Sequence, residues 1–191
     1  MRKLIVSTYV TLDGVIQPLD WPMGYPDEAA AKERGTYAHD LLFEADTLLM
    51  GRETYEGWAQ FWPSRNPADD GPGGDGVTDR MNSLPKYVAS TTLKAPLEWN
   101  ATLLGDDVPG EIAKLKAQSG KSIVMYGCGR LAKTLLEHNL ADEFRFWVYP
   151  VVRGKGTRLF NDGVSTNLDL VDTRTFGGGF TVLTCVPKKG Q

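Results

Sequence analysis

The fold is decided by residues 122–160, which read SIVMYGCGRLAKTLLEHNLADEFRFWVYPVVRGKGTRLF. The segment begins with a short apolar strand, 122–126, that leads directly into Gly127 and Gly129. A helix is predicted from there to about Asn139, because leucines recur on one helical face. Glycine at a strand-to-helix junction lets a ligand approach the backbone N–H groups at the positive end of the helix. The pattern therefore predicts a phosphate or dinucleotide contact, or else a turn that binds nothing.

A second candidate junction lies upstream, in residues 47–56, which read TLLMGRETYE. A short apolar strand again ends in a glycine, Gly51, and Arg52 and Thr54 follow at the start of a predicted helix. Backbone N–H groups, a guanidinium and a hydroxyl can converge there on phosphate oxygens, and Arg52 suits a 2′-phosphate. The alternative is that Arg52 is a solvated cation and Thr54 a helix cap. Glu53 argues against an anion at this position.

The two junctions, in this order, resemble the dihydrofolate-reductase-like superfamily, whose members bind NADPH across two such junctions with a Gly-Arg-x-Thr-aromatic-Glu element at the first. Residues 142–160, and residues 11–14 after the first strand, look like the reductase domain of bacterial riboflavin-biosynthesis enzymes and its stand-alone relatives. The resemblance covers residues 3–186, although 63–83 match no element that we can name. Folate reductases look less similar, because their glycine helix carries a tyrosine where this chain has Ala132.

The resemblance implies a single α/β domain over residues 1–191, with three layers, a mixed but mostly parallel central sheet and a C-terminal antiparallel hairpin. It implies an NADPH-dependent oxidoreductase that acts on a CH-OH or C=N type group of a small heterocyclic substrate, similar to 5-amino-6-(5-phosphoribosylamino)uracil reductase. The alternatives are a homologue that binds NADPH without catalysis, and a dihydrofolate reductase proper. The cofactor-binding residues implied are Gly51, Arg52, Thr54, Ser90, Thr91, Gly127, Cys128, Gly129, Arg130 and Leu131.

Three of the polar candidates have alternative roles. Ser90 and Thr91 follow the third predicted strand, where the superfamily places hydroxyls near the adenosine phosphate, and ordinary strand-end capping is the alternative. Arg130 follows the glycines at a helix start, where a cation opposes the helix dipole unless an anion lies nearby. It therefore either contacts the cofactor or faces solvent.

The chemistry is less well specified than the binding. Hydride transfer requires little from the protein beyond positioning and one proton source. Asp13 is the first candidate for a catalytic residue, because the riboflavin-type relatives carry Asp-Gly at this strand end, beside the expected nicotinamide site. A solvated carboxylate in an Asp-Gly turn is the alternative. Trp21, Tyr37 and Trp62 are candidates for the walls of a substrate pocket, with simple packing as the alternative.

Composition limits the remaining possibilities. With 191 residues and 41% hydrophobic content, the chain can fill one domain, while a second core would be cramped. A net charge of −3 without a basic cluster argues against nucleic acid or a membrane surface as a partner. No apolar run approaches the roughly 20 residues of a membrane helix, and a signal-peptide core is missing, so we expect a cytoplasmic protein. Cys128, Cys185, His39 and His138 lack metal-ligand spacing, and we expect no metal.

Three further segments carry expectations about shape and assembly. Residues 66–76 are rich in proline and glycine, which predicts a flexible surface insertion. Strand 143–152 carries bulky residues on both faces, which implies that a second subunit covers one of them in a homodimer. The segments 168–176 and 180–186 flank three glycines and predict an antiparallel hairpin at the sheet edge.

Overall fold

The structure, a computed structural model, describes residues 1–20, 28–160 and 165–188. The strands in these ranges are β1 Leu4–Thr11, β2 Val15–Gln17, β3 Ala45–Gly51, β4 Lys86–Ala89, β5 Ala101–Leu103, β6 Ser122–Tyr126, β7 Glu143–Tyr149, β8 Thr157–Arg158, β9 Leu168–Thr175 and β10 Thr181–Pro187. The helices there are α1 Glu28–Phe43, α2 Arg52–Phe61, α3 Val77–Ser83, α4 Val108–Ala117 and α5 Arg130–Glu137. The predicted strand 122–126 has the same bounds as β6, and the predicted hairpin strands agree with β9 and β10 to within one residue, whereas the predicted strand 143–152 ends earlier, at Tyr149.

An eight-stranded sheet with the order β5-β4-β3-β6-β1-β7-β10-β9 forms the centre of the described structure. Neighbouring strands from β5 to β7 run parallel, whereas β10 pairs antiparallel with both β7 and β9. The short strands β2 and β8 form a separate antiparallel ribbon. The fold is therefore α/β, with a mostly parallel mixed sheet and a C-terminal antiparallel strand pair, which confirms the predicted fold class.

Both faces of the sheet are covered, because consecutive residues of a strand point to opposite faces. In β1, Leu4 and Val6 pack into one apolar cluster with α4 and α5, while Ile5 packs into another with α1 and α3. All three side chains are fully buried, as is typical of a central parallel strand. Helix α5 contributes Ala132 and Leu135, which are buried on the side that faces the sheet.

Strand β7 buries aromatic residues on both faces within this one chain. Phe144 and Phe146 stack on one face, with ring centroids 5.4 Å apart. Trp147 and Tyr149 stack on Phe180 of the C-terminal hairpin on the other face. These four β7 side chains are at most 6% exposed. The bulky residues of this strand therefore need no second subunit to cover them, and the homodimer stays a prediction.

The segment 66–76 has definite contacts in the structure. Its backbone packs against α1, where a Cβ added at Gly35 would collide with the carbonyl oxygen of Pro72, and one added at Gly73 would lie 2.6 Å from the carbonyl oxygen of Lys32. The carboxylate of Asp70 accepts a hydrogen bond from the backbone N–H of Thr78 at 3.2 Å. The segment forms part of the surface beside α1, and its flexibility in solution stays a prediction.

Candidate functional site

A cleft of about 1200 Å³ lies at the carboxyl ends of β3, β4 and β6, which are neighbours in the sheet. Ligands of open α/β sheets bind at this edge. The cleft is lined by every cofactor-binding candidate taken from the sequence: Gly51, Arg52, Thr54, Ser90, Thr91, Gly127, Cys128, Gly129, Arg130 and Leu131. The fold therefore brings three separate segments together around one space, although cofactor contact by each residue stays a prediction.

Two helices begin at this cleft, and a glycine occupies the N-cap position of each. Gly51 precedes α2 and Gly129 precedes α5, and no described side chain caps either helix end. A Cβ added at either glycine would meet no described atom within 4 Å, so both backbones border open space. The first N–H groups and the positive ends of two helix dipoles are therefore available to an anion in the cleft.

Gly127 differs from these two glycines because its backbone conformation itself requires glycine. Its φ is +87°, in the left-handed region that other residues rarely adopt. A Cβ built on Gly127 would lie 3.4 Å from the hydroxyl oxygen of Thr54. The two strand-to-helix junctions thus meet directly, with Thr54 of the first beside Gly127 of the second.

Arg52 occupies the first turn of α2, and two carboxylates of the same helix lie against its guanidinium. Nη1 of Arg52 donates a hydrogen bond to Oε2 of Glu56 at 2.9 Å, and its Nη2 lies 3.7 Å from Oε1 of Glu53. The Arg52 side chain is 36% exposed. Arg52 is therefore a paired cation at the edge of the cleft, and neither a buried nor an isolated one.

Cys128 and Ser90 line the cleft with groups that have limited chemistry of their own. Burial raises the pKa of the Cys128 thiol to about 12, so this sulfur stays neutral near pH 7. The Ser90 hydroxyl accepts hydrogen bonds from the backbone N–H groups of Thr92 at 3.1 Å and Leu93 at 3.0 Å, which is a strand-end cap. Thr91 beside it is exposed. Of the two predicted hydroxyls, Thr91 is the one more available to a ligand.

The side of the cleft formed by α1, β1 and β7 carries functional candidates that the sequence reasoning missed. Nη2 of Arg34 donates to the hydroxyl of Tyr9 at 2.8 Å, and the guanidinium lies 5.6 Å from the centre of the Tyr9 ring. Nε1 of Trp147 donates to the hydroxyl of Ser7 at 2.9 Å. All four residues line the cleft. Ser7 and Trp147 are buried, so Arg34 and Tyr9 are the two that present a cation, a hydroxyl and aromatic surface, which suits a flat polar heterocycle.

Helix α1 does carry a sequence pattern that predicts this surface. Ala31, Gly35 and Ala38 recur at helical spacing beside Arg34, so one face of the helix has small side chains around a single arginine. All four line the cleft. At Gly35 the small residue admits the backbone of Pro72, where a Cβ would collide with the carbonyl oxygen.

The three aromatic residues predicted for the substrate pocket have different outcomes. Trp62 lines the cleft. Tyr37 is absent from the described lining of the cleft. Its ring packs edge-on against the rings of Trp147 and Phe176, with centroid distances of 5.1 and 5.3 Å. Tyr37 is a packing residue because its helix face meets the aromatic cluster of β7 and the hairpin. Trp21 lies outside the described residues.

Asp13 anchors a loop. Its carboxylate accepts hydrogen bonds from the hydroxyl of Thr11 at 2.7 Å and from the backbone N–H groups of Arg153 at 3.1 Å and Gly154 at 2.7 Å. These bonds lower the pKa of Asp13 to about 2, so it holds no proton near pH 7. Asp13 is also missing from the described lining of the cleft. In the described structure the carboxylate of Asp13 thus holds the 153–154 backbone and the Thr11 hydroxyl, and its predicted catalytic role stays a prediction.

Three other features of the described chain bear on the kind of site. No three histidine, cysteine, aspartate or glutamate side chains lie close enough among the described residues to hold a metal ion. Both cysteines, Cys128 and Cys185, are buried and unpaired with each other. Within the described ranges, no helix has the length and apolar character needed to cross a membrane.

Comparison with known proteins gives a consistent family. A model of the RibD C-terminal domain matches residues 2–182. The chain is 34% identical over 183 residues to the uncharacterized protein YyaP of Bacillus subtilis, with 93% of this chain and 91% of that one covered.

Solved structures share the fold. The chain is similar to a putative riboflavin biosynthesis protein from Shewanella sp. PV-4, with a TM-score of 0.73, 25% identity, and coverage of 98% of this chain and 99% of that one. It is also similar in fold to a diaminohydroxyphosphoribosylaminopyrimidine deaminase/5-amino-6-(5-phosphoribosylamino)uracil reductase from Thermotoga maritima, with a TM-score of 0.65 and 15% identity. That match covers 98% of this chain but 57% of the Thermotoga protein.

Proposed function

Because the chain belongs to the RibD C-terminal domain family, we propose that it is an NADPH-dependent reductase that transfers hydride to a small heterocyclic acceptor. The observation that carries this proposal is the pair of glycine-led helix ends, without side-chain caps among the described residues, that open onto one cleft. Such a pair suits the pyrophosphate of a dinucleotide. The proposed acceptor is similar to 5-amino-6-(5-phosphoribosylamino)uracil, the compound for which the reductase from Thermotoga maritima is named.

The residues at the two junctions fit a dinucleotide. Both N-cap glycines border open space, which a pyrophosphate next to the backbone N–H groups requires. We propose that Gly51 and Gly129 admit the pyrophosphate, that Arg52 and Thr91 contact the adenosine end, and that Arg130 adds a positive charge at the start of α5. When bound, NADPH supplies the hydride and the protein supplies position, exclusion of water and a proton.

The opposite side of the cleft fits an acceptor. Tyr9 offers aromatic surface, and Arg34 fixes the Tyr9 hydroxyl by a hydrogen bond to its oxygen, which leaves the hydroxyl proton to be donated. We propose that Tyr9 donates this proton as a hydrogen bond to the acceptor nitrogen or oxygen that gains negative charge during reduction. Asp13 is not proposed for this role, because its carboxylate is ionised and holds the 153–154 loop.

The test is a pair of measurements on the purified full chain. Calorimetric titration with NADPH measures binding, and the absorbance of NADPH follows its oxidation with 5-amino-6-(5-phosphoribosylamino)uracil, dihydrofolate and a panel of pterin and carbonyl compounds as acceptors. We expect binding, and oxidation with the aminouracil but not with dihydrofolate. NADPH binding without NADPH oxidation by any acceptor would support the non-catalytic homologue. NADPH oxidation by dihydrofolate would support a folate reductase. Absence of NADPH binding would refute the proposal.

We also propose a single domain, a homodimer and a cytoplasmic location. Length and a continuous central sheet support the single domain. The dimer is supported by the edge strand β9, where the apolar side chains of Leu170 and Val171 are 59% and 57% exposed. A second copy of the chain could cover this apolar strand edge. The cytoplasmic location is proposed because the enzyme would draw on a nicotinamide cofactor.

A further inference from the structure

We infer that Tyr126 binds the acceptor together with Tyr9: the two hydroxyls hydrogen-bond two polar atoms on one edge of a flat ring, as a cyclic amide or imide presents. The inference rests on the proposed function, because it assumes that the acceptor lies in the cleft beside Tyr9. It goes beyond that function in naming a second binding residue and the ring chemistry that it selects.

Tyr126 and Tyr9 lie on the same face of the central sheet. Strands β6 and β1 are neighbours, and their parallel register places Tyr126 opposite Ser7. Tyr9 follows two residues after Ser7, so its side chain points to the same face. Both tyrosines line the cleft, and Arg34 of α1 contacts Tyr9 from above this face. The two phenol rings therefore belong to one floor of the cleft, beneath α1.

The ring of Tyr126 is held by packing, while its hydroxyl has no hydrogen bond to another described residue. The ring packs against the apolar cluster that contains Ile5, and its centroid lies 5.2 Å from that of Trp58, which also lines the cleft. No described group donates to the Tyr126 hydroxyl or accepts from it. A phenol hydroxyl that the fold half buries usually has a partner. In a residue that lines the cleft, such a hydroxyl indicates a ligand atom as the partner.

Both hydroxyls have a proton to donate. Nη2 of Arg34 donates to the oxygen of Tyr9 at 2.8 Å, so the Tyr9 proton is left for a ligand. Burial raises the pKa of the Tyr126 hydroxyl, and the nearby Tyr9 adds to that rise, so Tyr126 keeps its proton near pH 7. A uracil ring has two carbonyl oxygens that accept such protons, whereas a simple aldehyde or ketone has one. The two tyrosines therefore favour a cyclic amide or imide over a simple carbonyl compound.

The test measures two dissociation constants by calorimetry on the full chain. NADPH is titrated into the protein alone, and 5-amino-6-(5-phosphoribosylamino)uracil into the protein saturated with NADP⁺. The variant is Tyr126→Phe, which removes the hydroxyl and keeps the ring that packs against Trp58. Tyr87→Phe is the matched control, because Tyr87 is also a half-buried strand residue but is absent from the described lining of the cleft. Thermal unfolding checks that every variant is folded.

We expect Tyr126→Phe to weaken binding of the aminouracil by roughly tenfold, the loss typical of one hydrogen bond, and to leave the NADPH dissociation constant within about twofold of the wild-type value. Steady-state kinetics should show a raised KM for the aminouracil with kcat nearly unchanged, because the hydroxyl binds the acceptor equally before and during hydride transfer. The control should change neither constant.

Three results would overturn the inference and leave the proposed cofactor assignment intact. The first is a Tyr126→Phe protein that binds the aminouracil as tightly as the wild type. The second is an equal loss of NADPH binding, which would assign Tyr126 to the cofactor. The third is a wild-type protein that binds NADPH but not the aminouracil, which would exclude the ring chemistry inferred here. Failure of the wild-type protein to bind NADPH would overturn the proposed function as well.

Discussion

Replacing Gly129 by alanine should separate cofactor binding from folding stability. Gly129 has φ −87° and ψ −151°, near the extended region, and its negative φ does not require glycine. A Cβ there meets no described atom within 4 Å, so the folded protein accommodates it without a clash. The added methyl group lies at the mouth of α5, where the proposed pyrophosphate must approach the backbone N–H groups.

The expected magnitudes follow from this geometry. Alanine in place of glycine at a compatible position stabilises the folded protein by about 0.4–1 kcal/mol, because it lowers the conformational entropy of the unfolded chain. Alanine is also a poorer N-cap residue than glycine, which offsets a gain of that size, so the net change in stability is near zero. Binding of NADPH should weaken by tenfold or more, which is about 1.4 kcal/mol. Gly127→Ala should instead lower the stability and leave NADPH binding by the folded protein largely unchanged. The reason is that φ +87° imposes a strain of about 1–2 kcal/mol on alanine.

The assay is thermal and denaturant unfolding of both variants, together with calorimetric titration of NADPH. The comparison is informative because the two glycines are two positions apart in one junction and only one of them needs glycine for its backbone. A Gly129→Ala protein of normal stability that still binds NADPH with wild-type affinity would refute the assignment of α5 to the pyrophosphate.

Two further predictions concern the loop anchor and the assembly. The folded-state pKa of Asp13 is about 2, below its ordinary 3.8, so ionised Asp13 stabilises the fold fully above pH 3.8 and loses this effect as the pH falls toward 2. Asp13→Asn should therefore lower the melting temperature at pH 6 and match the wild type near pH 2; equal melting temperatures at pH 6 would contradict the anchor role. For assembly, light scattering at low micromolar concentration should give twice the 21.0 kDa chain mass, and Leu170→Asp should shift it to the monomer. A wild-type monomer would refute the dimer.

The strand-to-helix junctions could be predicted because their evidence is local. An apolar strand, a glycine and a helical run follow one another within about ten residues at each junction, so sequence order alone places the glycines at a helix start. The parallel sheet then brings both helix starts to one edge. Even the pairing of Arg52 with Glu56 has a local basis, since residues four apart on a helix are neighbours.

The surroundings that the sequence did not indicate depend on contacts between distant parts of the chain. Asp13 is held by the backbone of residues 153–154, some 140 positions away, and no local pattern indicates that pairing. Tyr37 packs against Trp147 and Phe176, which reach it only after β7 and the C-terminal hairpin have joined the sheet. The pairing of Arg34 with Tyr9 likewise requires α1 to be docked on β1.

The contact between α1 and the segment 66–76 fixes the width of the cleft beside α1, which is the proposed acceptor end. Gly35 meets the backbone of Pro72, and both residues line the cleft. Position 35 already carries glycine, so no substitution there can bring α1 and the 66–76 segment closer together. Any larger side chain at position 35 would push them apart. The range of acceptors that fit should therefore change through the length and course of the 66–76 segment, which makes that segment the natural place to redesign substrate choice without disturbing the helix ends that would hold the cofactor.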